Sequence, residues 1–210
     1  MKSVAPVTIR RVRPSDAAAL ADFYAALSAE SRRARFLGYT PGMSPSLSRS
    51  FCTPDHMHAE GFVASLATAA GGEQELVGHL CLEPAGGRSI ELALAVADEY
   101  QGRGLGRALL EAAVNWGQKH DVQAILASAF ADNVRVLRLL SSSPHGARIL
   151  PARGGVVDVV IPLVAELPHD LFVMPHSAVR RRQGRLVSTV RPCCRAFWQR
   201  RPRPERDAVG

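Results

Sequence analysis

The sequence predicts a mixed α/β fold, and three observations carry that reading. Residues 60–68, 74–82 and 89–96 are strand candidates separated by the turn signals Gly71-Gly72 and Ala85-Gly86-Gly87, which reads as an antiparallel meander. Residues 104–119 place Leu105, Leu109, Ala112 and Trp116 on one helical face. A short apolar stretch, 124–129, follows that helix, so a strand–helix–strand crossover is expected there.

The remaining elements follow in chain order. Residues 7–13 alternate apolar and polar, as a strand with one wet face does. Pro14-Ser15-Asp16 opens a helix: Ser15 or Asp16 can cap the free N–H groups, and residues 17–27 are good helix formers. Residues 28–36 make a second short helix. Residues 40–54 hold three prolines and four serines and read as loop with one helical turn at most. After the crossover, Asp132 or Asn133 caps a helix reaching about residue 140, and 147–150 and 155–162 are closing strands. Beyond about residue 168 periodicity fades and arginine and proline dominate.

Length and charge divide the chain in two. At 210 residues and 47% hydrophobic it can bury a sizeable core, and residues 1–165 are expected to form one domain. The net charge of +7 is not spread evenly. Residues 177–210 hold ten arginines against Glu205 and Asp207, whereas the other residues carry 16 bases and 17 acids. Residues 166–210 are therefore read as a basic, flexible Arg/Pro-rich tail that attracts an acidic partner or nucleic acid by charge. Phe197 and Trp198 are the only aromatics in 177–210, too few for a base-stacking platform. Residues 1–13 lack the apolar core of a signal peptide, and no apolar run is long enough to span a membrane. The four cysteines (52, 81, 193, 194) form no spaced motif, which suits a reduced cytoplasmic location.

The informative segment is Gln101-Gly-Arg-Gly-Leu-Gly106 after an apolar strand. N–H groups at a helix start lack internal partners and lie at the positive end of the helix dipole. Glycines let those groups approach a phosphate closely, so a diphosphate is the expected ligand, with Arg103 and Arg107 adding charge. A P-loop is excluded because no Gly-Lys-Ser/Thr follows. The dinucleotide fingerprint is excluded because Gly106 comes one residue early and antiparallel strands precede the turn.

Gln101-x-x-Gly104-x-Gly106 in this setting resembles the acetyl-CoA motif of the GNAT N-acetyltransferase superfamily, and the likeness extends over about residues 7–162. Residues 9–16, 27–36, 91–110 and 131–140 are most similar to the GNAT domains of bacterial protein lysine acetyltransferases. The resemblance implies a GNAT fold, an α/β (α+β) mixed and mainly antiparallel sheet of six to seven strands with helices on both faces. It implies an acetyl-CoA-dependent N-acetyltransferase that moves an acetyl group directly to a primary amine, with a protein lysine as acceptor and no metal. An antibiotic- or polyamine-type acetyltransferase and a non-catalytic acyl-CoA sensor are the rival readings. It further implies that Leu94, Ala95 and Val96 offer backbone groups to the pantetheine arm and the thioester carbonyl. Gln101, Gly102, Arg103, Gly104, Leu105, Gly106 and Arg107 would cradle the pyrophosphate, and Asn133 would contact the cofactor.

An acceptor lysine, with a pKa of about 10.4 when free, must lose a proton before it attacks a thioester. Glu91 is the candidate base, acting directly or through a water. It is the one acid inside the apolar strand, and it shares a face with the small Ala93 and Ala95. The resemblance also places a catalytic glutamate here. One departure stands out: residues 134–140 contain no tyrosine, which many members use to protonate the departing thiolate. Water or another group does so, or the step is unassisted. Tyr100 is read as packing, His79 and Cys81 as sheet residues, and His56-Met57-His58 as a solvated turn.

Overall fold

The computed structural model describes residues 6–39, 43–66 and 75–167. The Gly71-Gly72 turn lies outside the described residues, as do positions 168–210 of the expected basic tail with its cysteines and aromatics. Seven strands form one sheet in the order β1-β2-β3-β4-β5-β7-β6: β1 Val7–Arg11, β2 Glu60–Leu66, β3 Glu75–Gly86, β4 Ser89–Val96, β5 Ala124–Phe130, β6 Arg148–Ile149 and β7 Val156–Pro162. All neighbouring pairs are antiparallel except β4 with β5. Among the described residues the five α-helices are α1 Ala17–Ala26, α2 Ala29–Phe36, α3 Pro45–Phe51, α4 Leu105–Lys119 and α5 Val134–Ser141.

The helices cover both faces because strand alternation sends apolar side chains to each. On one face Leu80, Leu82, Ile90, Leu92 and Ile125 meet Leu109, Leu110 and Trp116 of α4 and Leu140 of α5. Gly78 permits the close approach: a Cβ there would stand 3.1 Å from a Leu109 methyl. On the other face Val63, Cys81 and Ala95 meet Leu20, Phe23 and Tyr24 of α1, Phe36 of α2 and Phe51 of α3. Among the described residues no helix is long and apolar enough to cross a membrane.

Two local expectations are corrected. The 40–54 stretch is not simply loop. Pro45 sits at the first position of α3, where its missing N–H costs nothing, and Ser44 caps the helix by accepting the Leu47 N–H at 3.2 Å. The clustered proline and serine are helix-start chemistry there. Asp16, by contrast, does not cap α1 with its side chain. Its carboxylate turns back to accept the Arg13 N–H and two hydrogen bonds from Arg10 at 2.7 and 2.8 Å. Burial opposes its charge, but those donors hold the Asp16 carboxyl below the usual carboxylate range.

Candidate functional site

The site is built at the one parallel junction of the sheet. β4 and β5 pair over Ser89↔Ala124, Ile90↔Ile125 and Glu91↔Leu126, and then part. From Leu92 onward β4 keeps its β3 partner but not β5. A cavity opens in the fork, lined by Glu91, Ala93 and Leu94 of β4, Ala127 and Ser128 of β5, Arg35 of α2, Asn133 just before α5 and Leu140 of α5, among others. Its walls are chiefly alanine and leucine.

Glu91 stands where the strands separate, half-buried. Burial raises its pKa above the ordinary 4.5; the Arg35 guanidinium opposes that rise and the Asp158 carboxylate adds to it. Arg35 is itself buried. Its guanidinium lies 5.0 Å from the Phe36 ring centroid, with Nη2 3.1 Å from Cys81 Sγ. Behind it His79 is fully enclosed, with Nδ1 2.9 Å from the Tyr24 hydroxyl. Burial, reinforced by Arg35, pushes the His79 pKa down to about 3, so the ring is neutral. His79 and Cys81 thus pack within the sheet-facing core.

Beyond the fork the chain makes a short 3₁₀ turn at Asp98–Tyr100 and enters α4 through Gly102 and Gly104, whose φ angles are 75° and 87°. A Cβ at either glycine would meet nothing within 4 Å, so only the left-handed backbone, not crowding, calls for glycine. The first intrahelical bond runs from the Ala108 N–H to the Gly104 carbonyl at 3.0 Å, which leaves the Leu105, Gly106 and Arg107 N–H groups at the open end of the helix. Gly106 serves packing, since a Cβ there would come within 3.0 Å of Leu139 on α5. This open, positively polarised turn fits a diphosphate, and the forked strands fit an extended arm.

The expected site residues divide by place. Glu91, Leu94 and Asn133 line the cavity, and Asn133 also caps α5 by accepting the Val136 N–H at 3.2 Å. Ala95 packs against α1–α3, and the Val96 carbonyl accepts Gln101 Nε2 at 3.1 Å. Gln101 to Arg107 form the turn and first helical residues. Arg103 lies 5.3 Å from the Tyr100 ring centroid, Leu105 packs with Tyr100 against Ala64 and Val77, and Arg107 pairs with Glu111 at 3.3 Å. Tyr100 is packing. His56 and His58 bond to Glu60 and Asp55 at 2.9 and 3.1 Å. Among the described residues no group of three His, Cys, Asp or Glu side chains gathers as a metal site.

Sequence reasoning missed a polar clamp that fixes the turn. The Asp98 carboxylate accepts the Ser28 N–H at 2.9 Å and the Ser28 and Ser31 hydroxyls at 2.8 and 2.7 Å. Desolvation works against its charge, yet these donors hold its carboxyl below the usual range. It also missed Arg35, Ser128 and Asp158. Arg35 is one of three arginines in 24–36, and only its burial beside Tyr24 and Phe36 sets it apart; register alone reveals the others.

A family model described as "Acetyltransferase (GNAT) family" matches residues 25–142, more than half of the chain. Among solved structures, the chain is similar to the GNAT domain of S. lividans PAT, with 23% identity, TM-score 0.65, and coverage of 74% of this chain and 90% of that one. It is similar to yncA from Salmonella typhimurium, solved with its cofactor acetyl-CoA, with 15% identity, TM-score 0.59, and coverage of 77% and 96%. Spermidine N-acetyltransferase from Vibrio cholerae, in complex with CoA and spermine, matches with 17% identity, TM-score 0.57, and coverage of 75% and 95%. These likenesses share the fold. A search of the curated proteins finds no significant match.

Proposed function

The chain belongs to the GNAT acetyltransferase family, and from that membership we propose that it moves an acetyl group from acetyl-CoA directly to a primary amine, with a protein lysine as acceptor. The observation that carries the reading is the parting of β4 and β5 immediately after Glu91, with the glycine turn at the far end of the same strand. Acetyl-CoA supplies a thioester whose C–S bond breaks as the C–N bond to the amine forms, CoA leaving as a thiolate that takes up the second proton shed by the nitrogen. The chain's residues do the rest. The N–H groups opening α4 receive the pyrophosphate, with Arg103 and Arg107 beside them. The edge of Leu94–Val96 that β5 leaves open receives the pantetheine arm and polarises the carbonyl. Glu91, its pKa raised by burial, takes the proton from the incoming ammonium.

The acceptor class is supported by the cavity wall. Glu91 is the one carboxylate among the cavity-lining residues, beside Arg35 and walls of alanine and leucine, and an apolar four-carbon stem ending in a single ammonium suits that lining. The arginines of the tail are proposed to hold an acidic partner by charge; truncation after Glu166 should then weaken partner binding most at low salt.

An acceptor screen with labelled acetyl-CoA and mass spectrometry tests the reading. Label on lysine side chains supports it; label confined to spermidine or an aminoglycoside moves the acceptor to a small molecule. A chain that binds acetyl-CoA and labels no amine is a sensor. Gly104→Asp places bulk on a left-handed backbone and negative charge beside the pyrophosphate, and should abolish CoA binding in calorimetry. Retained micromolar binding defeats the pyrophosphate assignment.

A further inference from the structure

The Ser128 hydroxyl lines the fork cavity and donates to Asp158 Oδ1 at 2.6 Å. The two residues are register partners on β5 and β7, so their side chains share one sheet face. Glu91 pairs with Leu126 and points to that same face, two residues from Ser128 along β5. Among the cavity-lining residues Ser128 carries the one hydroxyl. A serine oxygen has one proton and two lone pairs. With its proton engaged by a carboxylate, the oxygen can only accept, and the charge behind it strengthens that acceptance.

We propose that Ser128, polarised by Asp158, is the positioning residue for the acceptor: it accepts an N–H of the incoming alkylammonium and holds the nitrogen beside Glu91. This rests on the reading of the fork as the transfer site. The division of labour is chemical. Glu91 takes a proton, Ser128 keeps a hydrogen bond to one that stays, and Asp158 supplies negative charge without touching the nitrogen. The arrangement selects a hydrogen-bond donor that carries positive charge, and rejects carboxylate or carbonyl groups, whose lone pairs would face those of Ser128. Residues 25–142 carry the family match, so Asp158 lies outside it.

The groups facing Glu91 are Arg35 from α2, Glu83 directly across on β3 and Asp158 from β7. Removing the Asp158 charge therefore has a second readout, because a neighbouring negative charge disfavours ionisation of Glu91. Steady-state acetyl transfer to n-butylamine, the simplest amine with a lysine-length stem, is measured at saturating acetyl-CoA for wild type, Ser128→Ala and Asp158→Asn. Ser128→Ala sits between Ala127 and Ala129 and should fold as the wild type does. The expectation is a KM for the amine raised about tenfold in both variants, from loss of one charge-assisted bond, with CoA affinity unchanged. The acid limb of kcat/KM should shift to lower pH in Asp158→Asn only. Amine KM within twofold of wild type in Ser128→Ala overturns the proposal, as does an unmoved acid limb in a folded Asp158→Asn, or a wild type that acetylates no n-butylamine. Glu91→Gln separates the two ideas: if it keeps wild-type turnover the base assignment falls, while the KM of Ser128→Ala still decides this one.

Discussion

The Gln101 side-chain carbonyl accepts a hydrogen bond from Arg135 Nη1 at 2.7 Å, while its Nε2 donates to Ser31 Oγ at 3.0 Å and to the Val96 carbonyl at 3.1 Å. One side chain thereby joins the first turn of α5, the first turn of α2 and the end of β4. The glycines that follow need such an anchor, because flexible backbone loses entropy when it orders around a ligand.

Gln101→Ala should therefore weaken CoA binding about tenfold in calorimetry, the scale of one or two net hydrogen bonds, without lowering the melting temperature by more than a few degrees. Gln101→Glu should be worse, since it replaces the donor with a carboxylate facing Asp98 and the Val96 carbonyl. Affinity within twofold of wild type in both variants means that glycine geometry alone shapes the turn.

His79 makes a second, independent prediction about acid stability. Its pKa is about 3 when folded against 6.5 when unfolded. The unfolded chain therefore binds a proton that the fold refuses between those values. Stability from this group is complete above pH 6.5 and falls as pH drops toward 3, at about 1.4 kcal/mol per pH unit. Melting temperature followed from pH 7 to pH 4 should fall less steeply in His79→Gln, which cannot titrate and can still bond the Tyr24 hydroxyl. Parallel curves for the two proteins refute the buried neutral imidazole as a source of acid sensitivity.

Local chemistry made much of this fold legible. β4 and α4 are read within a residue or so because a glycine turn, a run of alternating side chains and a helical stripe are all short-range signals. α3 was hidden because proline and serine mark both loops and helix starts, and only the Ser44 cap bond decides between them. Glu91 and the glycine turn could be singled out from sequence because each is unusual among its own neighbours. Ser128, Asp158 and Arg35 could not. An ordinary serine within an alanine-rich strand gains significance only when β7 pairs beside it and β4 departs from it, and those are properties of long-range register.

Core packing beneath the site gives a third prediction. Leu109 is fully buried on α4 and would contact any Cβ placed on Gly78 of β3. Leu109→Ala should cost about 2–5 kcal/mol in denaturant unfolding, from lost burial plus the cavity left behind. Because α4 also carries the glycine turn, CoA affinity should fall with it. A loss below about 1 kcal/mol would indicate that α4 collapses onto the sheet to fill the space.

Glu91 yields the sharpest test, because stability and function should move in opposite directions. Burial raises its pKa, against the attraction of Arg35. For a carboxyl, a folded value above the unfolded one means that the fold disfavours the ionised form. Stability associated with the group is complete below pH 4.5 and is lost as pH rises through the raised value. Glu91→Gln removes the charge while keeping the shape. At pH 8 it should melt above the wild type, and at pH 4 the difference should vanish, while turnover with the best acceptor falls at least a hundredfold and CoA still binds. A carboxylate kept only for structure would give the reverse, with Glu91→Gln melting lower at pH 8 and retaining turnover. The fold disfavours the ionised form of a carboxyl placed where its two central strands separate, and we propose that catalysis is what that position serves.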